Sequence, residues 1–160
     1  MKTIKNRILS GMMVIMLVVS LLAVAPISTF AETQYVKTYT QSYTLKEGQM
    51  YSIPLKMKQN AELTVQITII DGKSGKRMFV VPQLWEDYET GEGNSYSDKT
   101  LGLGSDMVDK ITIKGKALKG SKSAISFGVG FGGDVKVRVK ITSEKKCFVT
   151  RKLVEETSVE

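Results

Sequence analysis

The sequence predicts an all-β fold, a single antiparallel β-sandwich, and three observations carry that prediction. Apolar and polar residues alternate in short runs along the chain, the two-residue period of half-buried strands. Clusters of Gly, Asn, Asp and Ser punctuate those runs at strand-length intervals. No stretch shows a convincing 3.6-residue period, so helices have no place in the pattern.

The elements follow in chain order. Residues 1–31 read as a targeting segment. Lys2, Lys5 and Arg7 precede an uncharged apolar run from Ile8 to Ala25, Pro26 breaks it, and Thr29-Phe30-Ala31 supplies the small residues of a cleavage site. The apolar run is about as long as a bilayer requires, so an uncleaved anchor is the competing reading of the same residues. Cleavage after Ala31 leaves Glu32 to Glu160, 129 residues with no further candidate for stable membrane insertion, and predicts a secreted product that could be retained at the cell wall.

The sandwich domain is placed at 32–145, with 146–160 left for a last short strand and a polar tail. Tyr39, Tyr43 and Leu45 alternate with Thr and Ser and predict a first strand. Glu47-Gly48-Gln49 turns the chain, and Tyr51, Ile53, Leu55 and Met57 predict a second strand. After Lys58–Ala61, Leu63, Val65, Ile67 and Ile69 predict a third. Asp71 to Gly75 is turn-rich, and Phe79 to Trp85 reads as a fourth strand. Pro54 and Pro82 lie inside strand patterns and would each leave a gap in a ladder, which suggests edge strands or bulges. Glu86 to Ser105 reads as a long polar loop. Val108, Ile111 and Ile113 mark a fifth strand.

The stretch FGVGFGGDVKVRV, Phe127 to Val139, contains G-x-G-x-x-G at Gly128, Gly130 and Gly133. A dinucleotide site needs a helix after such glycines, because the helix N-terminus holds the pyrophosphate. Here Val135 to Ile141 alternates apolar and charged residues, which is a strand. The reading adopted is a β-hairpin with a three-residue loop, Gly132-Gly133-Asp134. That register pairs Val129 with Val137, Phe127 with Val139 and Ile125 with Ile141. It also sets Lys136, Arg138 and Lys140 over Gly130, Gly128 and Ser126. The cationic stems would then shield bare backbone, or form a shallow basic trough for an anionic polymer.

Composition narrows the function classes. The full chain carries a net charge of +7, which falls to +4 without the three cations of the targeting segment. The cations are dispersed, so nucleic acid is not expected as a partner. There is no histidine, which removes Ser-His-Asp and Cys-His nucleophiles and His-based zinc sites. The lone Cys147 excludes an intramolecular disulfide, and its apolar neighbours suggest partial burial.

Residues Tyr43 to Thr142 resemble the bacterial pre-peptidase C-terminal domain in the rhythm of YTLKEGQMYSIPL, AELTVQITI, PQLWE, ITIKGKALKGSKSAISFGVGF and GDVKVRVKI, with the ALKGS turn at Ala117 to Ser121. The aromatic that usually follows that turn is replaced by Ser123-Ala124-Ile125. The resemblance implies a small jelly-roll-like sandwich in an exported protein. It also implies a non-catalytic accessory role in binding polysaccharide or protein, sometimes with calcium.

The compositionally distinct segment is Trp85 to Asp98, WEDYETGEGNSYSD. Trp85, Tyr88 and Tyr96 could stack on sugar rings while Asn94 and the carboxylates bind hydroxyls. Asp87 and Glu89 could begin a calcium site, although the spacing is not that of an EF-hand. Otherwise the segment is a solvated loop with Trp85 anchored in the core. Paired carboxylates suffice for glycoside hydrolysis, but a sandwich of this size leaves little material for a catalytic cleft. The expected function is a non-catalytic module for extracellular or cell-wall polysaccharide, with no obligatory cofactor. The alternative is a structural or protein-interaction domain that docks to another exported protein.

Overall fold

A computed structural model describes residues 34–72 and 82–156. The expected targeting segment, the rest of the turn-rich stretch expected up to Gly75, the start of the expected fourth strand at Phe79 and the end of the expected tail lie outside the described residues. Within them the chain has ten strands: β1 (Thr38–Leu45), β2 (Met50–Met57), β3 (Ala61–Gly72), β4 (Gln83–Asp87), β5 (Glu92–Tyr96), β6 (Lys110–Ala117), β7 (Ala124–Gly128), β8 (Val135–Thr142), β9 (Phe148–Thr150) and β10 (Val154–Glu156).

The strands form two antiparallel sheets. One has the order β1-β8-β3-β6, and the other runs β10-β2-β7-β4-β5 with β9 also on β2. The first eight strands thus have the connectivity of a jelly roll. Alternation explains the layering. On β8 the apolar Val135, Val137, Val139 and Ile141 are buried, and the residues between them are exposed or partly exposed. β6 repeats the pattern with Ile111, Ile113 and Ala117 buried and Lys110, Lys114 and Lys116 exposed. The inward residues of both sheets make one core, in which Phe127 and Phe148 are the largest fully buried side chains. Full burial of one such side chain stabilises the fold by roughly 1.5–3 kcal/mol.

The expected hairpin is not formed. β7 pairs with β2 and β4 in one sheet, and β8 pairs with β1 and β3 in the other. The glycine-rich segment therefore crosses between the sheets. Gly132 and Gly133 do adopt positive φ, 118° and 96°. Their loop docks on the neighbouring crossing between β1 and β2. Gly48 N–H donates to the Val129 carbonyl at 2.8 Å, and Gly132 N–H donates to the Glu47 carboxylate at 3.2 Å.

Three further expectations change. The polar segment after Trp85 contains a strand, β5, which pairs with β4. β2 is not an edge strand, and Pro54 is accommodated differently. Leu55 N–H donates to the Ser123 carbonyl on the β7 side, so alternation turns the imino nitrogen of Pro54 to the other side. There β9 pairs with Leu55–Met57 and β10 with Met50–Ser52, leaving Pro54 at the junction, where its carbonyl accepts the Arg151 N–H at 2.9 Å. Pro82 precedes β4 rather than interrupting it. Cys147 is fully rather than partly buried.

Candidate functional site

The site is built on the outer face of the six-stranded sheet, and its starting point is β7. The outward residues of β7 are small: Ala124, Ser126 and Gly128. Left bare, they would expose backbone across the middle of the sheet. Instead Trp85, outward on β4, donates its indole N–H to Ser126 Oγ at 2.8 Å. Tyr88 meets Trp85 edge-on, with centroids 5.9 Å apart and planes at 71°. This cover leaves Ala124 and Ser126 each 2% exposed, although both point away from the core. Gly128 is covered by Met50, its cross-strand partner, whose sulfur occupies the place a Cβ would take. The expected cover of Gly128 by Arg138 is not formed: Met50 covers this glycine, and Arg138 lies on the other sheet.

Tyr88 is held at its far end too. Its hydroxyl reaches the Glu156 carboxylate, with O···O distances of 2.7 and 2.6 Å. Burial first, and this hydrogen bond to the carboxylate second, push the phenol up to about 12.

All four residues expected to bind sugar fall on this face. Asn94 is the cross-strand partner of Trp85, and Tyr96 that of Gln83. They do not form a flat platform, because Trp85 and Tyr88 are nearly perpendicular and both are hydrogen-bonded in place. Tyr96, 68% exposed, offers the freest ring.

The two expected calcium ligands have other partners. Asp87 Oδ1 accepts the Glu89 and Thr90 amides at 3.1 and 3.2 Å, and Oδ2 accepts the Lys122 amide at 3.4 Å. The bond from Thr90 contributes most to holding the Asp87 carboxyl below its usual range. Glu89 pairs with Lys122. Among the described residues, no group of three or more His, Cys, Asp or Glu is arranged to hold a metal.

Beside Tyr88 lies a groove of about 800 Å³. That volume is within the range of small-ligand sites, roughly 300–1,000 Å³. Tyr88 and Tyr35 provide aromatic walls, and Pro54 and Ala124 line its apolar part. Lys56, Lys58, Lys119, Lys122 and Arg151 surround it, with Glu89 as its one carboxylate. Lys58 Nζ sits 5.8 Å from the Tyr35 ring centroid, a cation–π contact that keeps the ammonium at the groove. The 118–123 loop is fixed from three sides. Lys119 N–H donates to Asn60 Oδ1, Ser123 Oγ donates to the Glu86 carbonyl, and Tyr88 N–H donates to the Lys122 carbonyl.

Of the candidate site residues singled out from the sequence, Tyr88 and Glu89 line this groove. The remaining walls come from Tyr35 ahead of β1, from β2, from the ALKGS turn and from the β9–β10 junction. No local pattern links those segments. The one local signal was the close spacing of Lys114, Lys116, Lys119 and Lys122 through the ALKGS turn, within an otherwise dispersed set of cations.

Lys136, Arg138 and Lys140 lie on the opposite side of the sandwich, exposed on the four-stranded sheet. Their neighbours are not glycines. Lys136 stands between Thr44 and Asp71, Arg138 between Ser42 and Thr68, and Lys140 between Thr40 and Gln66.

Comparison with protein-family models finds no match, and the comparison with curated proteins finds none either.

Proposed function

We propose that the chain is an exported, non-catalytic binding module whose ligand is an extracellular or cell-wall polysaccharide. The observation that carries this reading is the groove beside Tyr88. Aromatic walls at Tyr88 and Tyr35 suit the apolar faces of sugar rings, and the surrounding lysines and arginine suit their hydroxyl and carboxylate oxygens. A non-catalytic role is supported by the commitments of the nearby carboxylates: Asp87 binds backbone amides, Glu89 pairs with Lys122, and Glu156 accepts from Tyr88. The resemblance to pre-peptidase C-terminal domains points the same way, as does the targeting segment for export.

A second reading, a protein-interaction domain, draws on Tyr96 and Phe131, which are exposed at 68% and 70%.

The test is co-sedimentation with insoluble polysaccharides and isolated cell walls, with calcium present or chelated. Wild-type protein should be retained, Arg151→Ala and Tyr35→Ala should each weaken retention about tenfold, and no new reducing ends should appear. Failure of every polysaccharide to retain the wild type would sink the sugar reading and leave the protein-interaction reading in front.

A further inference from the structure

The outer face of the four-stranded sheet carries an ordered array of cations. The register places its outward residues in rows across β1, β8, β3 and β6. One row is Ser42, Arg138, Thr68 and Lys110. The next is Thr40, Lys140, Gln66 and Thr112, and beyond it lies Thr38, Thr142, Thr64 and Lys114. Lys136 and Lys116 extend the array at opposite ends.

Read along the strands, the same residues form two tracks. Lys136, Arg138 and Lys140 follow one another on β8. Lys110, Lys114 and Lys116 lie along β6. Outward residues on one strand recur about every 6.7 Å, and the tracks are two strand spacings apart, about 9.5 Å. Between them runs a neutral lane of Thr64, Gln66 and Thr68 on β3. All six cations are exposed, and none makes an ion pair among the described residues, where the single salt bridge is Lys122–Glu89 on the other side of the molecule. Against these six cations the outward positions hold two carboxylates, Asp71 and Glu62, one beside each track.

The ends differ. Near Thr64, Lys114 and Thr142 the face opens into a polar depression of about 570 Å³. Gln59, Asn60 and Ser143 add amide and hydroxyl groups there, Lys145 adds an ammonium, and Glu62 and Glu144 add two carboxylates.

We propose that this face is a second binding surface, independent of the groove, and that its occupant is a linear polyanion carrying phosphate or carboxylate on successive repeat units. Such a chain lies along the neutral lane with its charges turned alternately to the two tracks. The Thr, Ser and Gln side chains bind its uncharged oxygens, and the carboxylates of Glu62 and Glu144 at the depression mark where the cationic tracks end. Long cationic side chains on a rigid sheet keep their stems in register and their heads mobile, so the surface reads charge and spacing rather than a particular sequence of monomers. The partner is distinguished from a scattered counter-ion atmosphere by the alignment of the tracks.

The experiment measures binding of the full chain to immobilised inorganic polyphosphate and to immobilised polygalacturonate over a series of salt concentrations. Wild-type affinity should fall linearly in log–log form as salt rises, because binding releases counter-ions. The variant Lys136→Gln/Arg138→Gln/Lys140→Gln should bind about tenfold or more weakly, with the slope reduced by roughly two, about 0.7 for each contact removed. Lys110→Gln/Lys114→Gln/Lys116→Gln should behave alike. A control triple with the same loss of charge, Lys37→Gln/Lys46→Gln/Lys152→Gln, should lose less than half that effect on the logarithmic scale. Preference for polyphosphate or for polygalacturonate identifies which anionic group is read. The proposal is overturned if neither polymer binds the wild type, or if the control triple weakens binding as much as the track variants. Because all of these side chains are exposed, unchanged circular dichroism should accompany each variant. Retention of neutral polysaccharide in the groove is scored separately, so the two sites can fail independently.

Discussion

The outer faces of the two sheets solve the same problem in opposite ways. On the four-stranded sheet the outward side chains are long or branched and polar, and they stand in water with each strand screening its neighbour. On the six-stranded sheet the outward residues of β7 are Ala124, Ser126 and Gly128, which screen nothing. Trp85, Tyr88 and Met50 lie over them instead, and Ser52 and Ser126 become buried at 5% and 2% exposure. One face is therefore a free surface of mobile charges, and the other is a third packed layer with a groove at its margin. The difference shows that an outward position becomes an interior one wherever its own strand lacks bulk. The rings that fill the deficit are structural first and available to a ligand second.

The largest test of this contrast removes the cover. Trp85→Ala strips the indole from Ala124 and Ser126 and leaves the Ser126 hydroxyl without its donor. It should cost about 2–3 kcal/mol, below the range for a fully buried Trp because Trp85 is half-buried. Urea unfolding should register this as a lower midpoint with little change in slope.

A smaller and more specific effect is expected from Tyr88→Phe, which keeps the ring and deletes the hydroxyl that donates to Glu156. The loss should be about 1 kcal/mol at neutral pH. It also has a pH signature. The Tyr88 phenol titrates at about 12 in the fold against an ordinary 10.0. Its stabilising contribution is therefore complete below about pH 10 and disappears as pH rises towards 12. Tyr43, raised by burial and by its hydrogen bond to Tyr39, adds an alkaline loss of the same sign. The difference between wild type and Tyr88→Phe isolates the Tyr88 part. Equal alkaline slopes in the two proteins would contradict the assignment.

The smallest effect is expected on the other face. Lys136→Gln/Arg138→Gln/Lys140→Gln should leave stability within about 0.5 kcal/mol of wild type, since these side chains are exposed and make no ion pair among the described residues. A loss comparable with Trp85→Ala would mean that the cationic face is also a packed layer, and the contrast would fail.

Much of the architecture was legible from alternation. The spans of β1, β2, β3, β6 and β8 follow the apolar period, and it assigns their inward and outward residues correctly. β5 was not legible, because Glu92 to Tyr96 has no buried partner pattern of its own. Its residues range from exposed to half-buried, and it is a strand because β4 offers it an edge. Of the candidate residues, Trp85, Tyr88, Asn94 and Tyr96 share one face of the six-stranded sheet. Their perpendicular packing and their hydrogen bonds to Ser126 and Glu156 were not foreseeable, since those partners lie 41 and 68 residues away.

By itself the sequence determined most of the strands, which way their side chains point, and that the molecule has an apolar core between sheets. Those properties are local: a two-residue period sets the face of every residue, whatever strand lies beside it. Tertiary structure alone decided which strands are neighbours. Phe127 and Val139 both point into the core, and that fact is equally satisfied by cross-strand pairing in a hairpin or by contact from opposite sheets. The jelly-roll connectivity selects the second arrangement, because β2 and β4 occupy both edges of β7 and β1 and β3 occupy both edges of β8. That choice moved Lys136, Arg138 and Lys140 away from the glycines and aligned them with Lys110, Lys114 and Lys116. It also gathered the groove from five separate segments.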